Sequence, residues 1–288
     1  MELLNLTNVS KKFKEVQALK DVSFTMKPGI YGLIGPNGAG KSTLIRLIAT
    51  LDKATSGVIS YGDKHIWDIK ESYRSLIGLM PQNQKGYGNY SGLAFMYYMA
   101  NLKGISKQEA TIQVNALVKQ VGLEESINRK IKTYSGGMRQ RLMFAQSLLG
   151  DPKIIILDEP TAGLDPFERI RLRNYISEIA ENRIVLIATH VMQDIESIAD
   201  KVILLNKGNI VFEGTGFELL ETLKGKVVEK FIEVHELPNY QSQYRVSRVY
   251  KYESKYLIRY IDETAQGDKT PTFEDAYLYY MVDYDANI

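Results

Sequence analysis

Residues 30–48 read Ile30-Tyr31-Gly32-Leu33-Ile34-Gly35-Pro36-Asn37-Gly38-Ala39-Gly40-Lys41-Ser42-Thr43-Leu44-Ile45-Arg46-Leu47-Ile48. A short apolar run, Ile30 to Ile34, precedes a glycine-rich turn, and an apolar periodic segment opens at Thr43. The order predicts strand, loop, helix, and Gly35 to Ser42 fits G-x-x-x-x-G-K-[ST]. Gly35, Gly38 and Gly40 permit backbone conformations that a β-carbon forbids, so successive N–H groups of the loop, Pro36 excepted, can converge on phosphate oxygens. A helix beginning near Lys41 adds unpaired N–H groups and about half a positive charge. Lys41 is then placed to reach β- and γ-phosphates, and the Ser42 hydroxyl to meet Mg²⁺. The dinucleotide fingerprint G-x-G-x-x-G competes poorly, because the glycines here run G-x-x-G-x-G and a lysine follows. The stretch implies a nucleoside triphosphate site.

The remaining chain is ample for a full α/β core and a small further domain, at 288 residues. Its 44% hydrophobic and 24% charged content is that of a globular protein. A net charge of +2 lacks the clustered excess of Lys and Arg that an extended nucleic-acid surface needs. With no cysteine, disulfides and thiolate metal sites are excluded. The opening Met1-Glu2-Leu3-Leu4-Asn5 lacks a secretory pattern. No run approaches the ~18 apolar residues of a membrane span. If the protein works at a membrane, another chain must cross it.

Upstream of the loop, Leu3 to Val9 and Ala18 to Met26 alternate as two strands of an edge sheet. Phe13 falls in the expected turn among Lys11, Lys12 and Lys14, where stacking on a nucleobase and packing on the sheet edge are both open. Downstream, Val58 to Tyr61 and Leu76 to Met80 read as strands, the second followed by Pro81 and Gln82, and His65 as a surface residue. A loop is expected over Asn83 to Gly92. Helices are expected over Ser91 to Leu102 and Gln108 to Gly122, the second with Ile112, Ala116, Leu117 and Val121 in register. The first reads as core packing in a helical subdomain or as a groove for a partner.

Three further stretches carry chemistry. Ser135-Gly136-Gly137 opens an apolar helix with two residues that cost about 1 kcal/mol each inside one, which points to a second anion site at a helix N-terminus. Lys153 to Leu157 is a continuous aliphatic run ending in Asp158-Glu159-Pro160. Two carboxylates at the C-terminal end of a buried parallel strand stand where open α/β sheets bind ligands. One can hold Mg²⁺ and the other can address an attacking water. Ile184 to Ala188 is another buried strand, and it ends at Thr189-His190, within reach of a γ-phosphate. The helices Phe167 to Glu181 and Val191 to Ala199 flank it, and strands Val202 to Leu205 and Asn209 to Glu213 follow.

Ten of the nineteen tyrosines lie between Tyr240 and Tyr284, which places a boundary near Leu223. The expected domains are 1–222, with a helical subdomain at about 83–148, and 223–288. In the tail, Tyr244 to Tyr260 alternates as a hairpin, and Thr272 caps a last helix with Asp275 in its first turn.

With Gly35 to Ser42, Gln82, Ser135 to Met138, Ile154 to Glu159, Leu164-Asp165 and His190 in that order, residues 1 to about 220 resemble the ATP-binding cassette (ABC) ATPases. The resemblance implies an α/β P-loop NTPase fold: a mixed core sheet, an antiparallel β edge subdomain and a helical subdomain, with a small α+β C-terminal extension. It implies ATP hydrolysis with Mg²⁺, and a separate transmembrane permease as partner at the cytoplasmic face of the cell membrane. Phe13 would stack on adenine; Gly35, Pro36, Asn37, Gly38, Ala39, Gly40, Lys41, Ser42 and Thr43 would cradle phosphates. Ser42, Gln82 and Asp158 would hold the metal, Glu159 would be the general base, and His190 would steady the γ-phosphate. Ser135, Gly136 and Gly137 would meet ATP bound to a second cassette subunit, in a head-to-tail homodimer or heterodimer.

The tail around Thr270 to Tyr277 looks like the extension of exporter-type subunits, including those linked to antibiotic or bacteriocin-type peptide efflux. Two departures stand out: Tyr134 and Met138 flank the Ser-Gly-Gly where the family's common form is LSGGQ, and Ala162-Gly163 precede Leu164-Asp165 where Ser-Ala is frequent. A soluble cassette ATPase of translation or DNA repair is the alternative, although no second cassette and no long coiled-coil insertion accompany this one. A small-molecule kinase fits worse, given the Ser135 helix start and the long interval from Lys41 to Asp158.

Overall fold

The structure, a computed structural model, describes residues 2–82 and 87–281. In chain order the strands β1 (Leu4–Phe13), β2 (Val16–Met26) and β3 (Gly29–Ile34) lead into helix α1 (Lys41–Ile48). Then come β4 (Ser56–Tyr61), β5 (Lys64–His65), α2 (Lys70–Ser75), β6 (Ile77–Met80), α3 (Gly92–Leu102), α4 (Lys107–Gln120) and α5 (Gly136–Ser147). The core is completed by β7 (Ile154–Asp158), α6 (Pro166–Ile179), β8 (Ile184–Thr189), α7 (Met192–Glu196), β9 (Lys201–Asn206) and β10 (Asn209–Gly214). The tail adds α8 (Gly216–Glu221), β11 (Val227–Glu233), α9 (Leu237–Gln243), β12 (Arg245–Tyr252), β13 (Lys255–Ile261) and α10 (Phe273–Met281).

Among the described residues, six strands form a mixed central sheet in the order β10-β9-β3-β8-β7-β6, antiparallel only at β10. Every residue of β7 and β8 is buried, as expected of parallel strands covered on both faces. Successive side chains point to opposite faces and feed two separate cores. Ile155, Leu157, Val185 and Ile187 join the helices α3, α4 and α5 on one side. Ile154, Ile156, Leu186 and Ala188 join α1 and the antiparallel sheet β2-β1-β4-β5 on the other. This is the P-loop NTPase cassette architecture.

The register positions the site. Ile34 of β3 lies opposite Thr189 of β8, and Asp158 of β7 lies opposite Ala188. Gly35, Glu159 and His190 therefore leave the sheet side by side at its C-terminal edge, with β8 between the other two strands. Met80 of β6 faces Leu157 of β7, which brings Gln82 to the same edge.

The local expectations meet three corrections. Phe13 is the last residue of β1, paired with Val16, rather than a turn residue. The strands run on to a two-residue turn, with Lys14 in the left-handed region. Helix α4 buries Ala110, Val114, Leu117 and Val118, with Val121 buried just past its end, which leaves Ile112 and Ala116 exposed. Leu117 and Val121 of the expected register are buried, but the buried stripe runs on through Ala110, Val114 and Val118 rather than through Ile112 and Ala116. His65 is half-buried, and its Nδ1 accepts the Trp67 N–H at 3.2 Å in a local turn.

The tail sheet runs β11-β13-β12, and β11 and α9 had no clear pattern in the sequence. Phe273, Ala276 and Met281 of α10 lie in the same core cluster as Leu219, Leu223 and Val227. The expected loop at 83–92 and the tyrosine-rich stretch to Tyr284 fall in part outside the described residues.

Candidate nucleotide site

Helix α1 starts with Gly40 as its N-cap, at φ +112°, and Gly38 has φ +81°. These turns aim the loop inward, and the chain packs against its outside. A β-carbon on Gly35 would stand 2.2 Å from the Leu205 carbonyl oxygen, and one on Gly40 would stand 2.6 Å from that of Ala18. Both glycines are there because another backbone occupies the space a side chain would take. The Ala39 carbonyl accepts the Gly208 N–H and the Gly208 carbonyl accepts the Lys20 N–H, which ties β2 and the β9–β10 turn to the loop.

Inside lies a cavity of about 380 Å³. Pro36, Asn37, Gly38, Gly40, Lys41, Ser42 and Thr43 line it, together with Gln82, Asp158 and Glu159. Gly35 and Ala39 stand behind the wall. Lys41 Nζ donates to the carbonyls of Gly35 at 2.6 Å and Pro36 at 3.2 Å. Burial pushes its ammonium down, against the carboxylates of Glu159 and Asp158, which raise it. Burial and the neighbouring Glu159 push the Asp158 carboxyl up to about 6, with Lys41 opposing.

Glu159 is the most constrained residue of the site. Its φ of +53° lies in the left-handed region, where a residue other than glycine is strained, and its side chain is buried. Hydrogen bonds surround it. Its N–H donates to Ala188 O at 2.8 Å; its carbonyl accepts from Gln140 Nε2 at 2.6 Å and Ala162 N at 3.2 Å. Thr189 Oγ1 donates to Oε2 at 3.1 Å, and His190 Nδ1 lies 2.7 Å from Oε1. Because a carboxylate only accepts, that contact places a proton on Nδ1 and leaves Nε2 to face outward. The His190 ring is itself exposed and lies on the wall of a second cleft of about 680 Å³, shared with Arg248, Tyr250 and Glu274 of the tail.

The fold brings the loop, Gln82, Asp158, Glu159 and His190 together. It does not bring Ser135, Gly136 and Gly137 to them, and these three do not line the cavity. Ser135 caps α5 by accepting the Met138 N–H at 3.1 Å, and both Ser135 and Gly136 are exposed. Phe13 also stands outside the lining, half-exposed with Lys11 Nζ 4.7 Å from its ring centroid, while its strand partner Val16 is part of the wall. Three contributors had no signal in the sequence: Thr189, Gln140 and the Val16–Ala18 stretch of β2.

The cavity suits a triphosphate: glycine backbone on one side, a buried lysine at the floor and carboxylates opposite. Among the described residues no cluster of three acidic or histidine side chains would hold a metal alone. A Mg²⁺ would take phosphate oxygens as well as Ser42, Gln82 and Asp158, in keeping with its preference for one or two carboxylates plus substrate.

Comparison with known proteins agrees with that geometry. The family model described as "ABC transporter" matches residues 19–162, half of the chain. The chain belongs to the ABC transporter family. The ABC transporter ATP-binding protein YdbJ of Bacillus subtilis is 40% identical over 215 residues, which cover 73% of this chain and 68% of YdbJ. The methionine import ATP-binding protein MetN 2 of Bacillus cereus is 33% identical over 241 residues, 80% of this chain and 71% of MetN 2. Among solved structures, the dimeric cassette MJ0796 bound to ADP and Pi superposes with a TM-score of 0.67 at 26% identity, covering 74% of this chain and 98% of MJ0796. The chain is thus an ATP-binding ABC cassette of a family that hydrolyses ATP, whose subunits dimerise and act with transmembrane permeases. No helix of the described residues is long and apolar enough to cross a membrane.

Proposed function

We propose that this ABC cassette drives export through a separate transmembrane permease, from the cytoplasmic face of the membrane. The observation that carries the reading is the division of the phosphate-binding groups. The glycine cradle and Glu159 share one cavity, whereas the open helix end at Ser135 lies apart from it. A second cassette can bring its Ser135, Gly136 and Gly137 to the γ-phosphate of ATP held here, and receive the same in return. ATP then closes the pair, and loss of the γ-phosphate opens it.

In this reading Lys41 and the loop amides hold the phosphates, and Phe13 and the β2 wall receive the base. Ser42, Gln82 and Asp158 would hold a Mg²⁺ ion, which would supply compensation for the phosphate charge. Glu159 accepts the proton of the attacking water, while His190, its ring oriented by Glu159, stands beside the γ-phosphate. Gln82 reports the state of the site to the permease. The extension, whose Arg248, Tyr250 and Glu274 line the cleft that holds His190, supports the exporter assignment through its resemblance to exporter tails. MetN 2, an import protein by name, shows that cassette similarity alone does not set direction.

Purification from native membranes tests the partner: an integral membrane chain should accompany the cassette, and its absence from an intact ATPase dimer overturns the proposal. Reconstituted in vesicles with the cassettes outward, an exporter's cargo stimulates hydrolysis from the ATP side. Stimulation only from the opposite side marks import.

A further inference from the structure

Gln140 stands on α5, five residues after Ser135, and its side chain crosses to another segment. Its Nε2 donates to the main-chain carbonyl of Glu159 at 2.6 Å. The same carbonyl accepts the Ala162 N–H, the first turn of the loop that leads to Asp165. Both lone pairs of the carbonyl are therefore used, and rotating the peptide at Glu159 would break two hydrogen bonds. That matters because Glu159 sits at φ +53°, a conformation a non-glycine residue keeps only where its surroundings over-determine it. The carboxylate orientation depends on that backbone. A released Glu159 would relax toward negative φ and swing its side chain away from Thr189 and His190.

We propose that Gln140 is a positioning residue for hydrolysis, carrying the state of the helix tip at Ser135 to the main chain of Glu159. This rests on the two-cassette reading above. In it, Ser135 meets the nucleotide of the neighbouring molecule while Glu159 serves the nucleotide of its own. Gln140 thus joins the two nucleotide sites through a single side chain. When the γ-phosphate pulls on α5 at one site, the carboxylate at the other is held ready.

The test uses the full-length chain in its native complex, with ATP turnover, ATP binding and ATP-driven dimerisation all measured. Gln140→Met keeps the shape and removes the donor; Gln140→Lys keeps a donor of similar reach. The Met variant should lose about tenfold in kcat, the loss expected when a hydrogen bond worth about 1.4 kcal/mol to the reacting geometry is removed. Its KM for ATP should stay within about twofold, and the Lys variant should recover most of kcat. Combined with Ser135→Ala, the losses should be less than additive, because both substitutions cut one line of coupling. Wild-type kcat in Gln140→Met, equal damage from Met and Lys, a loss confined to KM, or additive losses would each overturn the proposal. A failure of the two-cassette reading is recognised separately: Glu159→Gln with intact Gln140 would then form no ATP-dependent dimer.

Discussion

His190 Nδ1 stands 2.7 Å from Glu159 Oε1, so the carboxylate beside the phosphate cradle also sets the orientation of the imidazole. The contact makes the two substitutions unequal. Glu159→Gln removes the base and should lower kcat by 10²- to 10⁴-fold, the usual worth of general base catalysis. It leaves the cradle intact, so the variant should bind ATP normally and accumulate as a closed dimer on gel filtration. His190→Ala keeps the base but frees one carboxylate oxygen and removes the outward-facing nitrogen. It should slow hydrolysis without trapping the dimer. Single-turnover rates and dimer fractions with ATP distinguish these outcomes; near-wild-type turnover in Glu159→Gln would refute the assigned base.

Two glycines of the same loop should respond very differently to alanine. At Gly35 the new β-carbon would meet the Leu205 carbonyl oxygen at 2.2 Å, a backbone atom that cannot rotate away. At Gly38 nothing lies within 4 Å, and the cost is the left-handed φ of +81° alone, of order 1 kcal/mol. Gly35→Ala should therefore abolish ATP binding and displace β9, while Gly38→Ala should weaken binding by about tenfold or less. Equilibrium titration with an ATP analogue measures both, and equal effects would contradict the packing described.

Much of this site is legible in one dimension because its parts sit at strand ends. The aliphatic runs into Asp158 and Thr189 mark buried parallel strands, and parallel register aligns their C-terminal ends with the glycine loop. The rest is carried by contacts with no periodic trace. Gln140 reaches a carbonyl nineteen residues away, and a glutamine one turn into a helix looks like any solvated residue. Ile112 misled because α4 has apolar residues on two faces and only its neighbours decide which is buried. Phe13 reads as a turn residue because nothing in its flanking lysines reveals that β1 and β2 run on to a two-residue turn.

Asp158 stores a cost that a neutral isostere should release. Burial and Glu159 raise its carboxyl from the ordinary 3.8 to about 6 in the ligand-free protein. Between those values the folded chain keeps a proton that the unfolded chain loses, so stability falls as pH rises through that window and is flat above it. The rise corresponds to about 3 kcal/mol at ~1.4 kcal/mol per pH unit, an upper bound once relaxation is allowed. Asp158→Asn should therefore unfold at higher urea at pH 7, by about 1–3 kcal/mol, and lose that advantage below about pH 4. The same variant should bind Mg·ATP less tightly. No gain at pH 7 would show that Asp158 is better solvated than its surroundings imply.

In the tail, a buried ion pair should prove essential to the fold although it touches no nucleotide. Asp275 is fully buried, and Arg259 reaches it through Nε at 3.1 Å and a second guanidinium nitrogen at 2.8 Å. Ser247 Oγ, the Thr272 N–H and the Thr272 hydroxyl complete its shell at 2.6, 2.8 and 2.8 Å. Burial works to raise the carboxyl, but Arg259, Ser247 and Thr272 outweigh it and hold it below the ordinary carboxylate range. Its contribution is therefore present at pH above 3.8 and is lost as pH falls through the depressed value. Asp275→Ala would leave Arg259 buried with only Glu229 as a charged partner, a change that typically costs 3–5 kcal/mol. That loss should not stay in the tail, because Phe273 and Ala276 of the same helix share the core of Leu219 and Leu223. Urea unfolding followed by tail tyrosine fluorescence and by ATP binding should shift together by that amount at pH 7, and the shift should shrink near pH 3. The double substitution Arg259→Met with Asp275→Leu, which removes both charges, should regain most of the stability, since a buried pair replaced by apolar groups is often no less stable. A tail that melts alone while ATP binding persists would show that the extension folds independently of the cassette.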